Sequence, residues 1–229
     1  MKVGIICAVD IELKPFLPHI KDCKTSKKAM LTFYEGTINS IGVVTLFCGV
    51  GKTNAAIATQ ILIDTYGADV IINSGTAGGM DENLDLFDTV ICTEAIHHDV
   101  HAGILTQFQP WMPSVSIKAC ENLLEAAKRA VKQLKAESKT YFGRMVTGEK
   151  FIEDDGRDEI ISLFAPLTVD METASIAHTC YVNQVPYIAV RTVTDTAKHK
   201  GTDNFEKNCP RASEISKDVV LELLNEVRK

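Results

Sequence analysis

With 229 residues, 45% of them hydrophobic and 24% charged, the chain is long enough to bury one sizeable core without disulfides or metals. Its net charge of −6 argues against nucleic acid or an anionic membrane as a partner, and no basic run exceeds Lys27-Lys28. No apolar run approaches the ~20 residues of a membrane-crossing helix, Asp10 and Glu12 interrupt the first apolar run too early for a signal peptide, and seven singly scattered cysteines suit a reducing cytoplasm better than a disulfide frame or zinc site.

Lys2 to Val9 is a near-continuous apolar run, the pattern of a strand covered on both faces. After Asp10-Ile11-Glu12 a helix carrying Leu13, Phe16 and Leu17 is expected. Lys28 to Ile38 and Ile41 to Cys48 read as paired strands, turned at Asn39-Ser40 or Gly42. Gly49-Val50-Gly51-Lys52 ends that pair and opens a helix through Tyr66, with Ala55, Ala56 and Ala58 for close packing and Gly67 as its stop. Asp69 to Asn73 is a buried strand feeding a glycine-rich turn, Ser74-Gly75-Thr76-Ala77-Gly78-Gly79. Asp88 to Thr93 is strand-like. Glu94 to Pro113, with three histidines, Trp111 and two prolines, is expected to be an irregular segment, long enough to signal function or an interface. A helix follows from Ser116 to about Leu134, apolar along Leu123, Leu124, Ala127 and Val131. Thr140 to Val146, Leu163 to Val169 and Pro186 to Val193 are expected strands. A helix follows Glu172, and the last covers about Pro210 to Val227. This alternation predicts a single α/β domain over residues 1–229, with a mixed central β-sheet flanked by helices.

Two familiar phosphate motifs fail. Gly51-Lys52-Thr53 lacks the glycine a P-loop needs five residues earlier, where Leu46 stands. Gly75, Gly78 and Gly79 do not follow the first strand with dinucleotide-binding spacing. His97-His98-Asp99-Val100-His101 could present metal ligands, but no second cluster completes a shell, so a polar rim is expected and no metal. His178 reads as a core histidine.

Four strand ends carry polar groups: Glu12 after the first strand, Thr76 in the glycine-rich turn, Glu172 after the strand through Val169, and Asp195 after the strand holding Arg191. Asp170 alone would serve as a helix cap. Ligands bind outside the carboxyl ends of strands in α/β sheets. In a mostly parallel sheet these groups lie along one edge, and their shared position is harder to explain by capping than any one residue.

Those residues, with Gly4-Ile5-Ile6-Cys7-Ala8, Gly49-Val50-Gly51-Lys52, Asn73 to Gly79, Gly148 with Phe151-Ile152, Asp170 to Ala174 and Arg191 to Asp195, resemble the nucleoside phosphorylase/nucleosidase superfamily and its nucleosidase branch. The resemblance runs through nearly the whole chain. It implies hydrolysis of the N-glycosidic bond of 5′-substituted adenosines, such as 5′-methylthioadenosine and S-adenosylhomocysteine, without a cofactor. By the same resemblance Asp195 donates a proton at purine N7, Glu12 activates water, and Arg191 orients the carboxylates. Glu172 takes the ribose hydroxyls and Met171 packs on the sugar. Phe151 stacks on adenine, and the backbone of Ile152 reads its edge. Thr76 and Gly78 belong to the substrate-binding turn, with Thr76 positioning the water or Glu12. Val9, Val50 and Phe205 line the thioalkyl pocket. A homodimer is implied, with the Ala102 to Pro113 segment near the partner's pocket. Two alternatives stay open: a purine nucleoside phosphorylase, disfavoured because no arginine precedes Arg129, and a catalytically silent nucleoside-binding protein, disfavoured by the intact carboxylates.

Overall fold

The computed structural model describes residues 1–134 and 139–227. Val3, Ile5, Ile6 and Cys7 of strand β1 (Lys2–Cys7) are fully buried. The strand lies inside the sheet, paired in parallel with β4 (Ile41–Phe47) on one side and β5 (Val70–Gly79) on the other. A strand covered on both faces needs a continuous apolar run, which is what the sequence has there. Beyond β4 lie β3 (Leu31–Ile38) and the edge strand β2 (Lys21–Lys28), both antiparallel. The β3–β4 turn is Asn39-Ser40, both with positive φ, as a tight two-residue hairpin requires. Gly42 lies within β4. A second such turn at Ala29-Met30 starts β3 at Leu31, later than the expected Lys28.

The other half of the sheet closes on itself. β5 pairs in parallel with β10 (Tyr187–Asp195) and then, at Gly78 and Gly79, antiparallel with β9 (Thr168–Asp170). β10 pairs antiparallel with β6 (Thr89–His97), β6 in parallel with β8 (Thr140–Thr147), and β8 in parallel with β9, returning to β5. A short β7 (Ile117–Lys118) adds to β6. The sheet is therefore mixed and central, as expected.

Several boundaries differ from those expected. Ser74 to Gly79 is not a turn but the second half of β5, held by its ladder to β10. The segment from Glu94 is not irregular throughout, because β6 runs to His97 and a short helix α3 (Ala102–Gln107) follows. Leu163 lies in helix α5 (Arg157–Phe164), and only Thr168 to Asp170 is strand. Helix α4 (Glu121–Gln133) begins after β7, and α7 (Thr202–Val227) starts a full two turns before Pro210.

Helices flank both faces. α2 (Lys52–Asp64) packs on α6 (Thr173–Asn183), and Ala55 and Ala58 of the one and Ala174 and Ala177 of the other are fully buried in the same apolar cluster. α4 and α7 pack together on the second apolar cluster through Ala126, Ala127, Ala130, Val220, Leu223 and Leu224. Among the described residues no helix is long and apolar enough to cross a membrane.

Candidate active site

A cleft of about 690 Å³, its open mouth included, lies where β1, β5, β9 and β10 end or meet. Val9, Glu12, Val50, Thr76, Gly78, Phe151, Ile152, Met171, Glu172, Arg191, Asp195 and Phe205 all line it. The sequence-predicted residues are thus brought into one place, though not along one parallel edge. β9 runs antiparallel to β5 but meets its carboxyl end, so Glu172 arrives beside Thr76 from the opposite direction.

Arg191 is the floor of the cleft, 1% exposed in mid-β10. Its Nη2 lies 3.1 Å from Glu172, its Nε 3.3 Å from Asp170 and its Nη1 3.9 Å from Glu12, while Nη1 also donates to the Thr76 carbonyl at 3.0 Å. Burial opposes its charge, but Asp170, Glu172 and Glu12 outweigh burial and hold it above the usual arginine value. Removing one member of such a group leaves an uncompensated buried charge.

Glu12 sits in a short helix α1 (Asp10–Leu13) directly after β1, with its side chain 2% exposed. Four donors fix it: Oε2 accepts from the backbone of Ala8 (2.8 Å) and Val9 (3.3 Å), and Oε1 accepts from the Thr76 amide and hydroxyl, each at 2.8 Å. Gly75 makes room for it, because a Cβ there would lie 2.5 Å from Oε1. Glu172 accepts from the Gly51 amide at 2.9 Å. Burial pushes its carboxyl up to about 7, against the pull of Arg191.

Asp195 stands across the cleft at the end of β10, after an irregularity in the ladder between Val193 and Asp195. Burial raises its carboxyl above the usual range, with the Thr194 hydroxyl (2.8 Å) and the Arg157 charge pulling the other way. Between the acids the lining is apolar. Phe151 and Phe205 meet edge to face at 6.1 Å, and Val9, Val50, Ile152 and Met171 complete it. A carboxyl raised by burial, a second carboxyl fixed by donors and an apolar slot between them suit acid–base chemistry on a flat, weakly polar ligand.

The N-cap of α6 is Glu172 and not Asp170, which stands two residues earlier at the end of β9. Asp170 accepts from the Glu172 and Thr173 amides (3.1 and 3.0 Å) and from the Thr147 hydroxyl (2.6 Å), and it also pairs with Arg191. Thr173 joins it, bonding Asp170 through its hydroxyl while accepting from Asn73 at 2.7 Å. The available signal was a second carboxylate two residues from Glu172 at the same strand end. The expected polar histidine rim is corrected in part: His97 is buried beneath the surface, 5.9 Å from His178, and burial lowers its imidazole to about 4. Among the described residues no three metal-ligating side chains are grouped to hold an ion.

Comparison with known proteins follows the same lines. A family model described as the phosphorylase superfamily matches residues 2–225. The chain is 35% identical over 226 residues, 97% of its own length and 98% of the relative's, to a 5′-methylthioadenosine/S-adenosylhomocysteine nucleosidase of Staphylococcus carnosus. It is similar, with a TM-score of 0.90 and 31% identity over 99% of this chain and 95% of the other, to the Colwellia psychrerythraea nucleosidase solved with adenine. The Neisseria meningitidis nucleosidase solved with methylthio-immucillin-A gives a TM-score of 0.89 and 31% identity, over 97% of this chain and 98% of that one.

Proposed function

The chain belongs to the phosphorylase superfamily, and from that membership we propose that it hydrolyses the N-glycosidic bond of 5′-substituted adenosines, 5′-methylthioadenosine and S-adenosylhomocysteine, releasing adenine. The observation that carries hydrolysis over phosphorolysis is the engagement of Arg191. A phosphate co-substrate needs a free cationic fork, and the only arginine lining the cleft among the described residues already faces three carboxylates. Lys150, the other cation there, stands at the exposed rim. Water is not repelled by that charge.

In this reading the purine lies between Phe151 and the Asp195 carboxyl, with the Ile152 backbone at its edge. Cleavage of the bond between C1′ and N9 sends its electron pair to the purine while Asp195 gives a proton to N7. Water beneath the sugar forms the new bond to C1′ and passes a proton to Glu12, whose orientation Thr76 fixes. Glu172 accepts hydrogen bonds from the ribose hydroxyls, Met171 packs on the sugar, and Val9, Val50 and Phe205 hold the 5′ substituent. Gly78 matters through its missing side chain, since a Cβ there would lie 3.0 Å from Asp195 Oδ2.

Three finer points belong to the same proposal. The chain acts as a homodimer, supported by the exposure of Ile57, Ile104, Phe108 and Trp111 together with the cleft-lining Val50. Ala55 and Ala58 take no part, since they are buried against α6. The compartment is a reducing cytoplasm, supported by five buried free cysteines. The role is the opening step of methionine salvage, since hydrolysis frees the thio-sugar.

The test is adenine release from 5′-methylthioadenosine in phosphate-free buffer. Stoichiometric adenine and a reducing sugar are expected. Strict dependence on added phosphate, with a sugar 1-phosphate product, would overturn the reading, as would tight adenine binding with no turnover.

A further inference from the structure

Outside the cleft lining, in a neighbouring depression shared with Thr196, lies Arg157. It is the first residue of α5, entered through Gly156 at φ 78°, and only 6% of it is exposed. Its Nη2 donates to the carbonyl of Gly79, and its buried Nε has no hydrogen-bond partner. Gly79 adjoins Gly78, the β5 residue paired with Asp195 across the ladder. Arg157 and Asp195 are each other's strongest charged neighbour. Glu153 faces Asp195, while Asp154 and Asp158 face Arg157, and Asp154 is itself paired with Lys200 at 2.6 Å; Asp81, Glu82, Lys198 and Lys200 line the same depression as Arg157.

Stability does not explain this placement. Burying a guanidinium with a donor left unmade is costly. The first turn of a helix also disfavours a cation, because the amide dipoles there point their positive ends outward. Two unfavourable circumstances therefore hold one positive charge near one carboxyl.

We propose that Arg157 is a positioning residue for glycosidic cleavage, a fixed positive charge anchored on the Gly79 carbonyl that acts on the substrate only through the carboxyl of Asp195. This rests on the reading of Asp195 as the proton donor. Burial, with the Glu153 charge adding to it, raises that carboxyl, and a carboxyl raised too far keeps its proton when the purine needs it. Arg157 offsets burial and pulls that carboxyl back toward its ordinary value, so its proton is given up more readily. Donor strength and proton occupancy are then balanced near the working pH.

The test uses Arg157→Gln, which keeps an N–H for Gly79 but loses the charge, and Arg157→Lys, which keeps the charge. Cleavage of 5′-methylthioadenosine and of a nitrophenyl riboside, whose leaving group needs no proton, is followed from pH 5 to pH 10. In Arg157→Gln the alkaline limb of kcat/KM for the adenosine should move up by about one pH unit. The ratio of its turnover to that of the nitrophenyl riboside should fall by about tenfold. In Arg157→Lys the limb should stay where the wild type has it. The substrate ratio does not depend on how much variant folds, so poor folding still returns an answer. An unmoved limb with both substrates slowed equally would make Arg157 purely structural and overturn the proposal. Wild-type protein that releases no adenine would instead defeat the reading of the cleft, before Arg157 is touched.

Discussion

At the scale of single residues, the two ends of the cleft hold carboxyls in different surroundings. Asp195 has one hydroxyl donor and is raised by burial, whereas Glu12 has four donors. Asp195→Asn keeps the shape and can donate a hydrogen bond, but it cannot transfer a proton. Turnover of 5′-methylthioadenosine should fall by ~10²–10⁴, the usual span for a lost general acid. A nitrophenyl riboside should be slowed much less, and equal slowing of both would move the acid elsewhere. Glu172 offers a pH test. Its carboxyl is at about 7 when folded, against 4.5 when free. Between these values the folded chain binds the extra proton, so stability from this group is complete below 4.5 and is lost as pH rises through 7. Glu172→Gln has no such loss. Its melting temperature relative to wild type should therefore improve from pH 5 to pH 8, and a constant difference would show that Glu172 does not titrate in that window.

At the scale of elements, β5 does most to build the cleft. Gly75 and Gly78 are needed not for a turn but for the space of neighbouring carboxylates, and Gly75 is the tighter case. Gly75→Ala would place a methyl 2.5 Å from Glu12 Oε1. Because Glu12 is buried, its carboxylate must shift, and displacement of about 1 Å can cost ~10² in rate. Turnover should fall by about that factor while substrate binding changes little. Wild-type turnover in this variant would mean that Glu12 has room to spare. The same strand shows what sequence could disclose. Val70-Ile71-Ile72 was legible because burial on both faces demands an apolar run. Ser74 to Gly79 was not, because glycine marks turns in general and here marks crowding by groups far along the chain. β2 was hidden for the opposite reason: all eight of its residues are exposed, so it has no apolar alternation. The polar cleft residues were legible through their shared place at strand ends. Asp170 was obscured because its place before a helix suggested a cap, whereas Glu172 is the N-cap of α6 and the ion pair of Asp170 with Arg191 is a tertiary fact.

At the scale of the whole molecule, several large apolar side chains remain uncovered. Ile57, Ile104, Phe108 and Trp111 are 45%, 52%, 76% and 58% exposed, and Val50 is both exposed and part of the cleft wall. Exposed apolar side chains of this kind are what the proposed dimer would cover, and Val50, exposed and in the cleft wall, is where assembly would bear on the 5′ substituent. Ile57→Glu should yield a monomer by analytical ultracentrifugation, with KM for 5′-methylthioadenosine raised about tenfold. A wild-type monomer with full activity would dismiss the dimer.

The far side of the molecule carries a different consequence. β2 is the outermost strand of the sheet, so one row of its backbone N–H and C=O groups faces outward. Such a row can template the stacking of copies into fibres. Within its eight residues β2 has Lys21, Lys24, Lys27 and Lys28, and two such edges brought together would press ammonium groups against one another. A basic run too short to grip a phosphate backbone is long enough to keep one copy's edge from joining the next, which protects the chain at the concentrations where newly made protein is most prone to aggregate.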